Sequence, residues 1–404
     1  MNPNSQMSPA QLNAYARAAI KARAIKMEQQ IFSQTYGAPA NTTNVSAAQP
    51  VVTVNPRNVG LIRGFWVKIV ATINNQSGQV ATLSDFNAAN ILSQIQFNDL
   101  NNNTRIQTTG WHMAFLNSIK ARRPFGTAWV HGTGFDDPIN YGNNFGNQIS
   151  FSGTTSTTLA NGASGTLTMW WYVPLAYSED DLRGAVYANV VNATMQLNLT
   201  FNPTPAVLAT ADSTSAVFTV AAGGTASSCV MSQAVVTVYQ SYLDQLPAGQ
   251  GGVILPILDL ATIYEMKNTT LTAVVPAQDF PIQYANFRDF VSTTLIYVNT
   301  GSTGARTGGA DLNYLALQSA NFTNIWKKEP GLIALQTRNH LQTDHPLGVY
   351  YFGSREKPIS TVQYGNMQIV LNAITAGAGA YVLMGYEDFA LVQSLSMAGS
   401  LAAS

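Results

Sequence analysis

The chain has 404 residues with 20 Lys plus Arg and 20 Asp plus Glu, so its formal net charge is zero and only 10% of it is charged, against about 25% in ordinary domains. A 46% hydrophobic share with 10% aromatics excludes a disordered chain, and balanced charge excludes a protein that binds nucleic acid by neutralising many phosphates. The lone Cys229 excludes a disulfide framework, no apolar run approaches the ~18 residues of a membrane helix, and the polar start Met1-Asn2-Pro3-Asn4 has no apolar core of a secretory signal behind it.

A chain of this length is expected to hold about two or three domains, and zero net charge favours self-association. The first predicted element is a helix. Ser8 is a good N-cap, and Pro9 follows at the first helical position. Helix formers run to about Ser33. Ala16, Ile20, Ala24, Met27 and Ile31 form one apolar stripe, with Arg17, Lys21, Arg23 and Lys26 off it and a single anion, Glu28, behind them. This basic amphipathic helix has two readings. It is a solvated terminal helix docked on its own domain, or it faces an anionic surface, either lipid headgroups or another subunit.

Tyr36 to about Asn55 carries no charge and reads as an extended arm. The pattern then changes to period two: Phe65, Val67, Ile69, Ala71 and Ile73 share one face of a strand. Ile95–Phe97 and Thr104–Gln107 flank Asp99-Leu-Asn-Asn-Asn103, which predicts a hairpin. Gly110–Lys120 has helical spacing. Leu167–Val173 is an aromatic strand stopped by Pro174. Met195, Leu197, Leu199 and Phe201 alternate, and Val230–Tyr239 closes this half.

The second half passes similar landmarks. A strand is predicted over Phe287–Val298, a short helix over Glu329–Gln342, and strands over Gly348–Phe352, Met367–Leu371 and Ala380–Phe389. The nearest echo is Thr194-Met-Gln-Leu-Asn-Leu199 against Asn366-Met-Gln-Ile-Val-Leu371. Two β domains of one architecture are expected, joined near Tyr239–Gly252. Many short strands with long Gly, Asn, Ser and Thr loops argue a sandwich or barrel. The loops Gly146–Gly165 and Thr204–Ser228, nearly free of charge, are expected to be surface excursions.

No catalytic constellation is found. His340, Asp344 and His345 form a poor metal pattern, and His340 suits a helix C-terminus better. Glu179-Asp180-Asp181 fits a Ser178-capped helical turn better than paired glycosidase carboxylates. Cys229 reads as a buried or half-buried thiol. No nucleophile elbow, phosphate loop or dinucleotide fingerprint is present. The sequence thus implies no enzyme, no cofactor and no metal.

Ordered blocks carry a resemblance. Val238-Tyr-Gln-Ser-Tyr-Leu-Asp-Gln-Leu-Pro-Ala-Gly-Gln-Gly-Gly-Val-Ile-Leu-Pro256 closely resembles the inter-barrel segment of tectivirus major capsid proteins. Asn58-Val-Gly-Leu-Ile-Arg-Gly-Phe-Trp-Val-Lys68, Trp170-Trp-Tyr-Val-Pro-Leu-Ala-Tyr-Ser-Glu-Asp-Asp-Leu182, Lys357-Pro-Ile-Ser-Thr-Val-Gln-Tyr-Gly-Asn366 and Leu383-Met-Gly-Tyr-Glu387 match in the same order. These viruses are icosahedral bacteriophages with a membrane inside the protein shell. The resemblance implies an all-β double jelly roll: two eight-stranded barrels with an N-terminal amphipathic helix and short helices in loops. It divides the chain into a helix and arm at 1–55, a first jelly roll at 56–245 and a second at 246–404.

It further implies a capsid protein of the virion, made in the bacterial host cytoplasm, whose homotrimers tile the shell facets. The implied partners are neighbouring trimers, penton and minor capsid proteins, and the internal membrane, with no sequence-specific nucleic-acid contact. Arg17, Lys21, Arg23, Lys26, Ile20 and Met27 are the candidate membrane-facing residues, because anionic lipid attracts such cations. The two long loops are candidate outward towers. The alternative is a lectin-like or carbohydrate-active β-sandwich. An outer-membrane barrel is a third reading, disfavoured by the N-terminal helix.

Overall fold

The computed structural model describes residues 7–38, 40, 42–84, 86–121, 148–150, 158–178, 180–190, 193–249, 252–272, 274–299, 311–341, 348–353, 358–376 and 380–390. Glu179, His131, Asp344, His345 and much of the 146–165 loop lie outside them.

The first barrel is built from two facing sheets. One runs Ile25–Gly37, Cys229–Asp244, Leu61–Asn75, Ser164–Pro174, Gln148–Ser150. The other contributes Val51–Val54, Gln196–Phe201, Leu92–Asn98 and Thr104–Thr108. Period-two alternation turns Phe65, Val67, Ile69 and Ala71 of one sheet toward Ile95, Phe97, Leu197 and Leu199 of the other, and all eight are buried in one core. The rings of Phe65 and Phe97 meet across it at 5.5 Å. The predicted hairpin forms over Leu92–Asn98 and Thr104–Thr108. Its turn has a local cause: Asp99 Oδ1 accepts from the backbone N–H of Asn101 at 2.9 Å and Asn103 at 3.0 Å, and Asn102 takes φ 59°, which Asn tolerates better than most residues.

The second barrel repeats the plan. Ile263–Thr272, Tyr381–Ala390, Arg288–Val298 and Val349–Gly353 face Asp279–Gln283, Met367–Ala373, Leu312–Ser319 and Trp326–Lys328. Leu295, Tyr297, Leu315, Leu317, Ile369, Leu371, Val382 and Met384 fill the space between. The helix predicted over Glu329–Gln342 spans Pro330–Leu341, with His340 in its last turn.

The two barrels share one sheet. Thr104–Thr108 of the first pairs in parallel with Ile263–Thr272 of the second through Ile106–Met266 and Gln107–Lys267, giving a nine-stranded sheet that crosses both. Helix Gly110–Ala121 backs this junction, and its Trp111, Met113, Phe115, Leu116 and Ile119 are buried. Val349, Tyr351 and Phe389 of the second half join the same core.

Three sequence expectations are corrected. The 204–228 segment is not a mere surface excursion. Ala206–Leu208 and Phe218–Val220 form a small sheet with Ala81–Leu83 and Thr158–Leu159, and Phe218 and Val220 are buried in the first core. The 36–55 arm is not wholly extended: it contains a one-turn helix, Val45–Ala48, and the strand Val51–Val54, which pairs with Gln196–Phe201. The turn around Asp181 is not helical; Ser178 Oγ accepts from the Asp181 N–H at 3.0 Å, and Asp181 binds Arg183 instead.

The junction leaves no room at Gly385. A Cβ there would stand 2.3 Å from Nε2 of His112, a ring with no exposure held by Thr108 Oγ1 at 2.6 Å from its Nδ1. Gly385→Ala is therefore expected to lower stability by about 1–3 kcal/mol, as overpacking does. Chemical denaturation reads it, and a variant as stable as the parent would contradict this packing.

Candidate functional site: the N-terminal helix and the seam between barrels

The N-terminal helix spans Pro9–Arg23 and starts with a full capping box: Ser8 Oγ accepts from the Gln11 N–H at 3.3 Å, and Gln11 Oε1 accepts from the Ser8 N–H at 2.8 Å. It stops ten residues earlier than the predicted Ser33. From Ile25 to Gly37 the chain is a strand paired along the edge of Cys229–Asp244. Thirteen residues of ladder outweigh the local helix propensity, which tertiary pairing readily overrides. Lys26 and Met27 therefore lie on a strand, not on the helix.

The helix docks on its own chain. Asn13, Ala16 and Ile20 are its buried residues, and Ile20 packs among Leu61, Ala176, Leu182 and Ala185. Arg17 Nε donates to Asp259 Oδ2 at 2.6 Å, and its Nη2 donates to Oδ1 of the same carboxylate. Asn13 Nδ2 donates to Asp259 Oδ1 at 3.1 Å, while its own Oδ1 accepts from the Leu258 N–H at 3.1 Å. Asp259 is buried and opens the second half of the chain, so one carboxylate ties the N-terminal helix to the entry of the second barrel. Lys21 pairs with Asp180 at 2.5 Å, with both side chains 77% exposed, and such a pair contributes little.

Of the six candidate membrane-facing residues, Ile20 points inward and Arg17 is committed to Asp259. Lys21, Arg23, Lys26 and Met27 are exposed. A second apolar stripe, which sequence reading missed, faces away from the docked side. Leu12, Tyr15, Ala19 and Ala22 recur at helical spacing, and Leu12 and Tyr15 are exposed.

A second charged cluster lies where the barrels meet. Glu387 has no exposure. Its Oε1 is 3.0 Å from Lys120 Nζ, and it accepts hydrogen bonds from the hydroxyls of Tyr264 and Ser292. Lys120 also donates to Tyr264 Oη at 2.7 Å. Nearby, Arg288 binds Glu265 and lies 3.0 Å from Asp388, and Lys267 reaches Glu265 at 2.6 Å. Charge is scarce in this chain, yet several of its charges converge on this seam. The sequence signal was Tyr386-Glu387-Asp388-Phe389, two carboxylates inside an aromatic strand.

Among the described residues, no reactive nucleophile or metal cage emerges. Burial pushes the Cys229 thiol up to about 12, far from a reactive thiolate. Among the described residues, no three His, Cys, Asp or Glu side chains stand close enough to hold a metal ion, and no helix is long and apolar enough to cross a membrane.

Similarity to known proteins agrees with this architecture. The family model described as P3 major capsid protein N-terminal matches residues 4–246, and its C-terminal companion matches 261–403. The chain belongs to the P3 major capsid protein family. It is 41% identical over 392 residues to the major capsid protein P3 of Enterobacteria phage PRD1, a match covering 96% of this chain and 93% of that protein. This P3-family protein is thus a structural component of a virion capsid, not an enzyme. Its fold is also that of a chain in the atomic structure of Sulfolobus Turreted Icosahedral Virus, with TM-score 0.60 at 12% identity, covering 92% of this chain and 93% of that one. The Faustovirus major capsid protein matches with TM-score 0.50 at 9% identity, over 97% and 93% of the two chains. Both likenesses show the double jelly-roll fold. The lectin-like alternative is left without support.

The seam has a distinctive pH response. Burial pushes His112 from 6.5 down to about 4, with Glu387 opposing and Lys120 adding to the shift. The unfolded chain binds that proton first, so this term raises stability as pH rises from about 4 to 6.5. Burial pushes Asp388 from 3.8 up to about 6, with Arg288 opposing and Glu265 adding to the shift. Here the folded chain holds the proton, so this term lowers stability as pH rises from 3.8 to about 6. The two slopes oppose each other. In Asp388→Asn the His112 term is no longer opposed by Asp388, and urea denaturation is expected to show stability falling more steeply than in the parent on acidification from pH 6.5, by up to ~1.4 kcal/mol per pH unit from His112. A variant whose profile between pH 4 and 6.5 matches that of the parent would refute the assignment.

Proposed function

We propose that three copies of this capsid protein form a trimer whose six barrels give a near-hexagonal outline and tile the facets of an icosahedral shell around an internal membrane. The supporting observation is the joining of two like barrels side by side by a shared nine-stranded sheet, which makes one chain a third of such a hexagon. In this reading residues 246–404 form one upright barrel and 56–245 the other, with strands of the 1–55 arm extending its sheets. Penton and minor capsid proteins complete the shell at its vertices and edges.

The N-terminal region is the proposed membrane-facing part. The supporting surface is the outward stripe of Leu12 and Tyr15 with the exposed cations Lys21, Arg23 and Lys26 and the exposed Met27. Apolar side chains beside cations suit a lipid interface. The docked residues Arg17 and Ile20 hold this surface in place.

The purified protein is expected to run in analytical ultracentrifugation at about three times the 43.3 kDa of one chain. A monomer at capsid-forming concentrations would sink the trimer. Arg23→Gln with Lys26→Gln is expected to weaken binding to anionic vesicles by about fivefold per cation without loss of thermal stability. Equal vesicle binding by parent and variant would leave the helix a docking role only.

A further inference from the structure

The second barrel holds a pocket of about 460 Å3 that the capsid reading does not use. Helix Pro330–Leu341 and five strands, Arg288–Val298, Leu312–Ser319, Trp326–Lys328, Val349–Gly353 and Ile359–Ser360, bound it. Leu317 and Phe352, both buried, form an apolar wall. Trp326 meets Phe352 edge-to-face at 5.1 Å. The polar lining is Lys328, with Gln336 and Asn339, three residues apart on one helix.

Lys328 is the unusual group. Strand alternation separates it from Lys327, whose Nζ lies 3.6 Å from the Tyr314 ring centroid on the other face. Lys328 Nζ lies 4.9 Å from the Trp326 ring centroid and donates to Gln336 Oε1 at 2.9 Å. Both partners are neutral. Burial lowers its pKa, and no carboxylate of the described residues offsets that. By contrast, Lys120, Arg17 and Arg288 each have a carboxylate. A half-buried ammonium with no anion among the described residues is left partly uncompensated, and this one lines a cavity large enough for a small molecule.

We infer that this pocket binds a monocarboxylate with an apolar body. The carboxylate would pair with Lys328 and accept from the amides of Gln336 and Asn339. The hydrocarbon would lie against Leu317, Phe352 and the Trp326 ring. Charge complementarity selects an anion over an amine, and the apolar wall selects a hydrocarbon over a sugar or an inorganic anion.

The test uses the full-length protein and octanoate below its micelle concentration, read by isothermal titration calorimetry, with octylamine and inorganic phosphate as controls. Saturable octanoate binding is expected, with octylamine and phosphate at least tenfold weaker. Lys328→Gln is expected to weaken octanoate tenfold or more, and Lys328→Arg to restore it to within about threefold. The proposal is overturned if octanoate does not saturate, if octylamine binds as well, or if Lys328→Gln binds octanoate like the parent. Should Lys328→Gln fail to fold, the preference of the parent for octanoate over octylamine decides the question alone.

Discussion

Glu387 has no exposed surface, and a carboxylate in that position needs charge and hydrogen bonds brought to it. Its partners come from both barrels. Lys120 extends from the helix of the first, while Tyr264 and Ser292 stand on strands of the second. The parallel pairing of Ile106 with Met266 runs through the same junction, and Gly385 lies bare against His112 beside it. Moving one barrel relative to the other would separate the ammonium from the carboxylate and leave both desolvated. Apolar packing alone tolerates small slips; a buried ion pair does not. The side-by-side setting of the barrels, on which any tiling geometry rests, is fixed here.

The same logic explains where the chain spends its few charges. Asp259 ties the N-terminal helix to the entry of the second barrel through Arg17 and Asn13. Asp99 ties the first hairpin through Arg105, with 2.7 Å between Nε and Oδ2, and Arg105 reaches the carbonyl of Gly184 at 2.9 Å. In each case a carboxylate joins segments distant in sequence or closes a turn. The sheet faces need no such device, because Thr, Asn, Gln and aromatic side chains cover them. A neutral outer face has little self-repulsion, which suits a protein that lives among copies of its own kind.

Most strands were legible because burial on one face writes a period of two into the sequence, as in Phe65, Val67, Ile69 and Ala71. The hairpin at Asp99 was legible because its turn chemistry is local. The end of the first helix was not. Residues 24–33 have acceptable helix propensity, and only the open edge of Cys229–Asp244, some two hundred residues away, converts them to a strand. For that reason Lys26 and Met27 lie on a strand and not on the predicted helix. Its apolar stripe was traced through Met27, and the outward stripe of Leu12 and Tyr15 was passed over. The 204–228 segment was misjudged because Phe218 and Val220 sit in a low-complexity stretch too short to show periodicity.

Sequence alone determined the all-β class, the duplication and, through ordered blocks of residues, the capsid family. Each follows from local alternation or from long collinear matches. It also showed the oddity of a neutral, charge-poor chain with cations crowded near the N-terminus. Tertiary structure decided what those cations do. Arg17 is tied to Asp259, Lys21 is paired at the surface, and Lys26 stands on a strand, because a charge takes its role from what the fold places within a few ångströms of it. The seam at Glu387 and the setting of Lys328 between Trp326 and Gln336 belong to the same category, since no spacing along the chain records which residues the fold will bring together.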